Sequence, residues 1–255
     1  MSQFTFDVGT EPSLDVRVSS GRLDLAPSTS GQVVIDVSGS GADFVVVEQS
    51  GNTVSIREEG RLFGGRSVNI RAAVPTGTNL EVAVASLNIV ARVDLGRVIA
   101  RTASGDIDFG QVSTIEVKSA SGDVKIDSCV GRCEVTAASG DVRIHRASGE
   151  LGVSTASGDI GVERAEGRVE VKTASGDIRI GCCWGASVEA ASMSGDVDLG
   201  LPEGTRVEAE IDSLSGDVVL PSRRPPDGDT ERNLKLRAKT VSGDVVVRRV
   251  PSRPL

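Results

Sequence analysis

Short stretches of alternating apolar and polar residues recur along the chain, each placed after a glycine. Apolar residues stand two and four positions after the glycine, as Ile160 and Val162 do after Gly158. Alternation with period two predicts a strand with one buried face. The second apolar residue of one repeat and the small residue before the next glycine are three positions apart, as Val162 and Ala165 are. Three is an odd number, so a continuous strand would turn one of the two residues to solvent. Each repeat therefore predicts one short strand and one corner.

The glycines themselves define a longer period. They recur about every nine residues over 122–185, and alternate ones belong to the tripeptide Ser-Gly-Asp, so a unit of about eighteen residues is expected. Units that cannot bury a face alone stack and share one core, so we expect each turn to pair with the next at about 4.8 Å. We predict an all-β fold, a single-stranded parallel β-helix whose right hand follows from the general crossover preference. The alternative, a meander of hairpins, would need two-residue turns such as Asn-Gly, which the repeat lacks.

The chain divides into three predicted regions. Residues 1–74 are β-rich but irregular and are expected to form early coils or a cap, 75–247 the solenoid, and 248–255 a flexible tail. A cap is needed because the open end of a solenoid exposes unpaired strand edges. The cap region holds a cluster of phenylalanines that we expect to plug the core: Phe4, Phe6, Phe44 and Phe63.

Two glycine-rich or proline-rich stretches interrupt the pattern and predict loops. The first covers 58–66, and the second, 222–232, lengthens the interval between the last two tripeptides. An insertion in a repeat maps to one face of a solenoid, where it either contacts a partner or is a surface loop without function.

Composition narrows the function classes. Aromatic residues make up 2% of the chain, which suits a narrow core of Val, Ile and Ala. The net charge of -8 argues against nucleic acid as a partner, because nucleic-acid binding relies on basic patches. The first residues lack the basic and apolar regions of a signal peptide, and no segment approaches a membrane span, so we expect a cytoplasmic protein, with peripheral membrane attachment as the alternative.

The cysteines predict packing rather than chemistry. Cys129, Cys133 and Cys183 occupy inward positions, where cysteine behaves as a small apolar residue. We place Cys129 and Cys133 on one strand, roughly 13 Å apart and too distant for a disulfide. No histidine accompanies them, so a zinc site is not expected.

Aspartates of the tripeptides should stack in one column. The predicted column contains Asp106, Asp123, Asp141, Asp159, Asp177, Asp196, Asp217 and Asp244. Its functional interpretation is cation binding, but too few oxygens converge for calcium, since alternate repeats lack the aspartate. The structural interpretation, in which each carboxylate accepts backbone N–H bonds at its corner, is preferred. Partial neutralisation is expected from Lys125, Arg143 and Arg179.

Serines and threonines beside the aspartates form further columns that could hold a nucleophile or an ice-binding face. A nucleophile needs a positioned base, and the one histidine, His145, is expected at a corner as a single copy. Structural ladders of hydroxyls that hydrogen-bond from coil to coil are the preferred interpretation. We therefore predict no catalytic, metal or cofactor residues, and a plugging role for Trp184.

These features together resemble a known family. Degenerate Ser-Gly-Asp-Ile/Val repeats, a Val-Pro-x-Gly segment before them and an irregular β-rich start are similar to a bacterial β-strand-repeat family of unknown function labelled "putative adhesin". The resemblance covers roughly residues 10–250 and implies a β-helical fold with envelope-stress or surface roles.

The leading functional hypothesis is a non-enzymatic solenoid that serves as a structural or protein-interaction module, with an unidentified protein as its partner. A polymer-forming scaffold that assembles through the solenoid ends is the first alternative. A polysaccharide-cleaving β-helix enzyme is the second.

Overall fold

The computed structural model describes residues 2–59, 67–221 and 232–251. These residues form 23 strands and one 3-10 turn, Ala42–Phe44. The fold is therefore all-β and solenoid-like. The chain folds into two compact units, 1–128 and 129–255. Most of the predicted loops 58–66 and 222–232, and the end of the predicted tail 248–255, lie outside the described residues.

Unit 1 contains the first eleven strands, apart from the last residue of β11. They are β1 Ser2–Asp7, β2 Ser13–Arg17, β3 Ser20–Pro27, β4 Gln32–Ser38, β5 Val45–Ser50, β6 Thr53–Glu58, β7 Val68–Val74, β8 Thr78–Ala91, β9 Leu95–Ser104, β10 Ile107–Ser119 and β11 Val124–Cys129.

The coils of unit 1 do not follow the order of the sequence. Strand β2 lies between β6 and β8, and β3 lies between β7 and β8, all in parallel. Strand β8 then pairs in parallel with β9 and β10. The first coil of the chain, β2/β3, is thus enclosed by the later coil β6/β7, which stacks outside it.

Antiparallel strands cover the outer coil of unit 1. Strand β5 pairs with β6, β4 pairs with β7, and β1 pairs with β4. Between β5 and β6 a tight turn contains Gly51, whose φ of 59° is easy only for glycine, followed by Asn52. The inward side chains of the outer coil are consequently fully buried, as at Val54 and Ile70.

The predicted phenylalanine plug is not formed by the described phenylalanines of the cap. Phe4 and Phe6 stack on each other at 6.5 Å between ring centroids but stay partly exposed, and Phe44 is exposed. Phe63 lies outside the described residues. The fully buried ring is Phe109, inside the stack. Strand pairing closes the core here, so aromatic bulk is not required.

Unit 2 contains the remaining strands. They are β12 Cys133–Ser139, β13 Val142–Ala147, β14 Leu151–Ser157, β15 Ile160–Ala165, β16 Val169–Ser175, β17 Ile178–Cys183, β18 Ser187–Ser194, β19 Val197–Pro202, β20 Thr205–Ser215, β21 Val218–Val219, β22 Arg232–Ser242 and β23 Val245–Val250.

From β12 to β19 the coils of unit 2 stack in sequence order. Each strand pairs in parallel with the strand two further along the chain, so that Leu151 lies opposite Val169 and Ile160 opposite Ile178. The inward positions predicted from the alternation are buried on β12 to β19.

The last coils depart from sequence order, and the expectation that each turn pairs with the next is wrong here. Strands β18 and β19 pair with β22 and β23, and β20 and β21 pair with the far side of β22 and β23. The coil β22/β23 carries a strongly apolar inward set, including Leu234, Leu236 and Val247, which its enclosed place buries. The less apolar β20/β21 coil is left outside.

Candidate interaction surfaces

The Ser-Gly-Asp aspartates form hydrogen-bonded ladders at the corners. In unit 1, Asp123 N–H donates to Asp106 Oδ1 over 3.0 Å. In unit 2, each step repeats this bond over 2.8–3.0 Å, in the order Asp141, Asp159, Asp177, Asp196, Asp244 and Asp217. The order follows the stack, so Asp244 precedes Asp217. Each carboxylate oxygen thereby accepts a hydrogen bond from the backbone N–H of the aspartate in the next coil.

Arginine side chains neutralise part of this column. Arg143 Nη2 lies 2.7 Å from Asp141 Oδ2, and Arg179 Nη2 lies 2.6 Å from Asp177 Oδ2. Lys125 forms its ion pairs with Asp108 and Asp127. Asp108 and Asp127 lie outside the column, so the prediction that Lys125 helps to neutralise it is wrong. The arginine pairs balance charge in the column, but they are exposed to solvent and add little stability.

Asn88 shows what the ladder requires chemically. It occupies the aspartate position of a degenerate repeat, and its Oδ1 accepts the N–H of Asp106 over 3.0 Å. An uncharged side chain thus accepts the same hydrogen bond. This indicates that the ladder depends on the acceptor oxygen more than on the negative charge.

We expect Asp159→Asn to leave stability nearly unchanged, because the amide oxygen can still accept the N–H of Asp177. Asp159→Ala removes that acceptor and should cost about 1 kcal/mol. Urea denaturation of both variants checks this. Equal losses from Asn and Ala would show that the negative charge is what the ladder uses.

Buried hydroxyls complete the corners. Thr102 and Thr155 donate through Oγ1 to the carbonyls of Ser104 and Ser157, over 2.8 and 3.1 Å. Ser192 Oγ donates to the carbonyl of Gly176 over 3.2 Å. These hydroxyls satisfy backbone oxygens that turn inward at the corner, so they are engaged structurally.

His145 lies on strand β13, so the prediction that it lies at a corner is wrong. It is exposed, and its Nδ1 is 2.5 Å from Glu163 Oε2 on the neighbouring strand. The residue before it, Ile144, points inward, and alternation therefore places His145 on the outer face. The corner serines lie elsewhere on the coil.

The outer face of β12, β14 and β16 carries a shallow depression, here called the dent, of about 200 Å³. It forms at Gly152, which lacks a side chain between Glu134 and Glu170 on the flanking strands. Lys172 Nζ lies 2.6 Å from Glu170 Oε1, and this bond raises the pKa of the lysine and lowers the pKa of the glutamate. The charges around the dent neutralise one another, which leaves little attraction for a charged ligand.

Unit 1 has a comparable pair on its outer surface. Both guanidinium nitrogens Nη1 and Nη2 of Arg92 donate to the carboxylate of Asp108. This bidentate bond lowers the pKa of Asp108. The two parallel bonds fix the orientation of the guanidinium against the carboxylate, and the charges of the two groups balance.

The cysteines of the first corner in unit 2 are closer than predicted. Cys129 ends β11 and Cys133 begins β12, so the corner at Gly131 separates them and the single-strand interpretation is wrong. Their side chains hydrogen-bond each other, which lowers the pKa of Cys129, whereas the same bond together with burial raises the pKa of Cys133. Both are buried free thiols. A chain that bends brings residues together that an extended strand would separate.

Trp184 lies at another corner of unit 2, between two arginines. The guanidinium carbons of Arg164 and Arg232 lie 5.5 and 4.3 Å from the ring centroid. The ring is half-buried, and burial raises the pKa of the neighbouring Cys183 to about 11. The tryptophan therefore packs against the side of the coils, with cation–π contacts on its ring.

The outer coil of unit 2 exposes apolar side chains. Val218 is 44% exposed, whereas Val245 and Val197, which occupy the same column on the next two strands, are 0% exposed. Val219 and Leu220 are also exposed, and Leu214 is 84% exposed. Sequence reasoning missed this surface, because it depends on which coil stacks last.

Two further observations limit the chemistry of the described residues. They contain no cluster of three or more His, Cys, Asp or Glu side chains that could hold a metal ion. In the same part of the chain, none of the structure is a helix long and apolar enough to cross a membrane.

A family model described as Toastrack DUF4097 matches residues 12–248. The chain belongs to this family. The Toastrack match includes the irregular start, the repeats and the displaced final coils, so one family spans both units. No curated protein matches the chain.

Solved structures with similarity to this Toastrack chain include three from Bacteroides and Parabacteroides. A putative adhesin from Bacteroides fragilis is 15% identical, covers 98% of this chain and 96% of its own, and has a TM-score of 0.42. A putative adhesin from Parabacteroides merdae is 10% identical, with 98% and 94% coverage and a TM-score of 0.35. A putative lipid binding protein from Parabacteroides distasonis is 12% identical, with 99% and 96% coverage and a TM-score of 0.38.

Proposed function

We propose that this Toastrack chain is a non-enzymatic structural or protein-interaction module, built as a right-handed parallel β-helix with coils of about eighteen residues. The observation that carries the proposal is the exposed outer coil of unit 2, where β-branched side chains that are buried in the inner coils face solvent. Contiguous exposed apolar surface on a folded protein marks a site of interaction.

The arrangement of polar groups supports a role without catalysis. The corner hydroxyls and carboxylates bond to the backbone, and the histidine pairs with Glu163 on an exposed strand face. A serine nucleophile would need the histidine within hydrogen-bond reach and a third group to orient it. The hydroxyl of Thr155 instead bonds within its corner, and Asp159 and His145 bond to the adjacent coil.

The cysteines support a proposed cytoplasmic location, with an envelope-linked role at the membrane periphery as the alternative. All four are free thiols, and the side chains of Cys129 and Cys133 are in hydrogen-bond contact without being joined. Thiols so close stay reduced in a reducing compartment.

We expect a photo-crosslinking residue at Leu214 to capture a defined protein partner in the native host. The same residue at Val130, an exposed apolar side chain at a corner of the inner coils, is the matched control and should capture much less. Mass spectrometry of the adducts makes the comparison.

The proposal fails if both positions give the same background, or if the purified chain depolymerises acidic polysaccharides. Adducts only with further copies of the chain, together with filaments in electron micrographs, would instead establish the polymer alternative.

A further inference from the structure

Strand β20 is an edge strand in unit 2. It pairs in parallel with β22 from Thr205, opposite Arg232, to Ser215, opposite Ser242. Among the described residues, no strand pairs with its other edge. The strand is 11 residues long, so it presents an extended row of backbone groups that a further strand could use.

The inward side of this edge is incompletely covered. Val207 and Ile211 on β20 are half-buried, and Ala209 between them is exposed. Their partners on β22, such as Leu236 and Ala238, are buried because β20 covers them. One additional strand would cover β20 in the same way and remove apolar surface from water.

The outward side of β20 has a uniform sign of charge over most of its length. Glu208, Glu210 and Asp212 alternate with the inward residues, and each lies opposite a basic residue of β22. These basic residues are Lys235, Arg237 and Lys239. The acidic row of the edge strand therefore already has a basic row on one side.

Ion pairs tie the two rows together. Arg237 Nη2 lies 2.7 Å from Glu210 Oε2, and Lys239 Nζ lies 3.2 Å from Asp212 Oδ2. The β22 row is the chain's own example of a sequence that fits beside β20: basic residues outward, with leucine and alanine between them. A second basic row on the open edge would meet the same carboxylates from the other side.

The same charges disfavour a second copy of the chain at this edge. Antiparallel pairing of two β20 strands in the longest register would place Glu210 of one copy opposite Glu210 of the other, and Glu208 opposite Asp212. Like charges directly opposite each other destabilise a strand pair. Charge complementarity instead favours a partner with basic outward residues.

We propose that β20 accepts, by strand addition, an extended segment of a partner protein in which Lys or Arg alternates with apolar residues such as leucine and alanine. The inference rests on the proposed interaction function and assigns it a place and a ligand chemistry. Backbone hydrogen bonds supply the affinity in this mode of recognition, and the alternating side chains supply the specificity.

The test uses a labelled peptide with the sequence of Arg232–Ser242, RNLKLRAKTVS, and the full-length chain. Its control is the same peptide with glutamate at the three basic positions 235, 237 and 239. We expect the basic peptide to bind roughly tenfold or more tightly than the acidic one at low salt, with the difference shrinking as salt screens the charges. Hydrogen exchange should show new protection within 205–220.

Protein variants locate the binding. Glu208→Lys combined with Glu210→Lys should reverse the preference between the two peptides. Glu134→Lys combined with Glu150→Lys changes the net charge equally on distant coils and should leave the preference unchanged. Melting temperatures confirm that both double variants are folded.

Three results would overturn the proposal: equal binding of both peptides, protection outside 205–220, or a dimer in sedimentation velocity that the Glu208/Glu210 variant abolishes. The last result would assign the edge to a second copy. Failure of the peptide is distinguishable from failure of the proposed function, since a partner captured from Leu214 would keep the interaction role and discard only this edge.

Discussion

Ile178→Asp should destabilise unit 2 by about 3–5 kcal/mol, because it places a carboxylate without a partner in the core. Ile178 is fully buried on β17, and its neighbours in the column, Ile160 and Val197, are fully buried as well. None of these side chains offers a hydrogen bond. Since each coil contacts only the adjacent coils, increased hydrogen exchange should centre on residues 160–199.

Arg179→Gln is the matched control, since it changes the net charge by the same amount one residue further along. The Arg179 side chain is 60% exposed, and its ion pairs with Asp177 and Asp159 are exposed too. Its loss should cost less than about 1 kcal/mol. Chemical denaturation compares the two variants. Similar losses would mean that the inward and outward faces of β17 are misassigned.

Local alternation carries most of the information on strands, because burial on one face is decided residue by residue. Ile160, Ile178 and Arg179 could be assigned from their distance to the preceding Ser-Gly-Asp glycine alone. The solenoid-like fold follows from the same spacing, whereas the family was suggested by the resemblance of the Ser-Gly-Asp repeats and the Val-Pro-x-Gly segment. The corners follow too, but what each aspartate bonds to depends on the neighbouring coil.

The order of the coils could not be read from the sequence. Every coil has the same alternation, so several neighbours fit equally well, and small differences in apolar burial decide between them. The inward positions Leu234 and Leu236 gain more from being enclosed than Val207 and Ala209 do. The exposed edge of unit 2 is a consequence of that order, and sequence reasoning therefore missed it.

The start of the chain was harder to predict for a related reason. Antiparallel pairing of β5 with β6 needs a tight turn that is not part of the repeat, and the antiparallel partners of β1 and β4 are distant in sequence. The contact between Cys129 and Cys133 was missed because strand geometry was applied across a corner. In both cases a local rule was extended beyond the element in which it holds.

Gly158→Ala should be among the most damaging small substitutions in unit 2. Gly158 has a φ of 134°, a conformation that side chains other than glycine rarely adopt. A Cβ there would lie 2.2 Å from the carbonyl oxygen of Gly140 in the preceding coil. Strain and clash together should cost about 3 kcal/mol or more, because the backbones of adjacent coils would have to separate at the corner.

Three other glycines separate the two causes. At Gly161, on β15, a Cβ would meet its nearest atom at 4.0 Å, so alanine should be neutral or stabilise by up to about 0.5 kcal/mol. Gly167→Ala tests the clash alone, since a Cβ would lie 2.0 Å from the carbonyl oxygen of Gly149 and no left-handed φ is involved. Gly31→Ala tests strain alone, since its φ is 69° and the space around it is open, and it should cost about 1 kcal/mol.

Denaturation midpoints of the four variants should rank Gly158 as most destabilised, then Gly167, Gly31 and Gly161. If Gly161→Ala were as harmful as Gly158→Ala, close approach of the coils at the corner could not be what the repeated glycine provides.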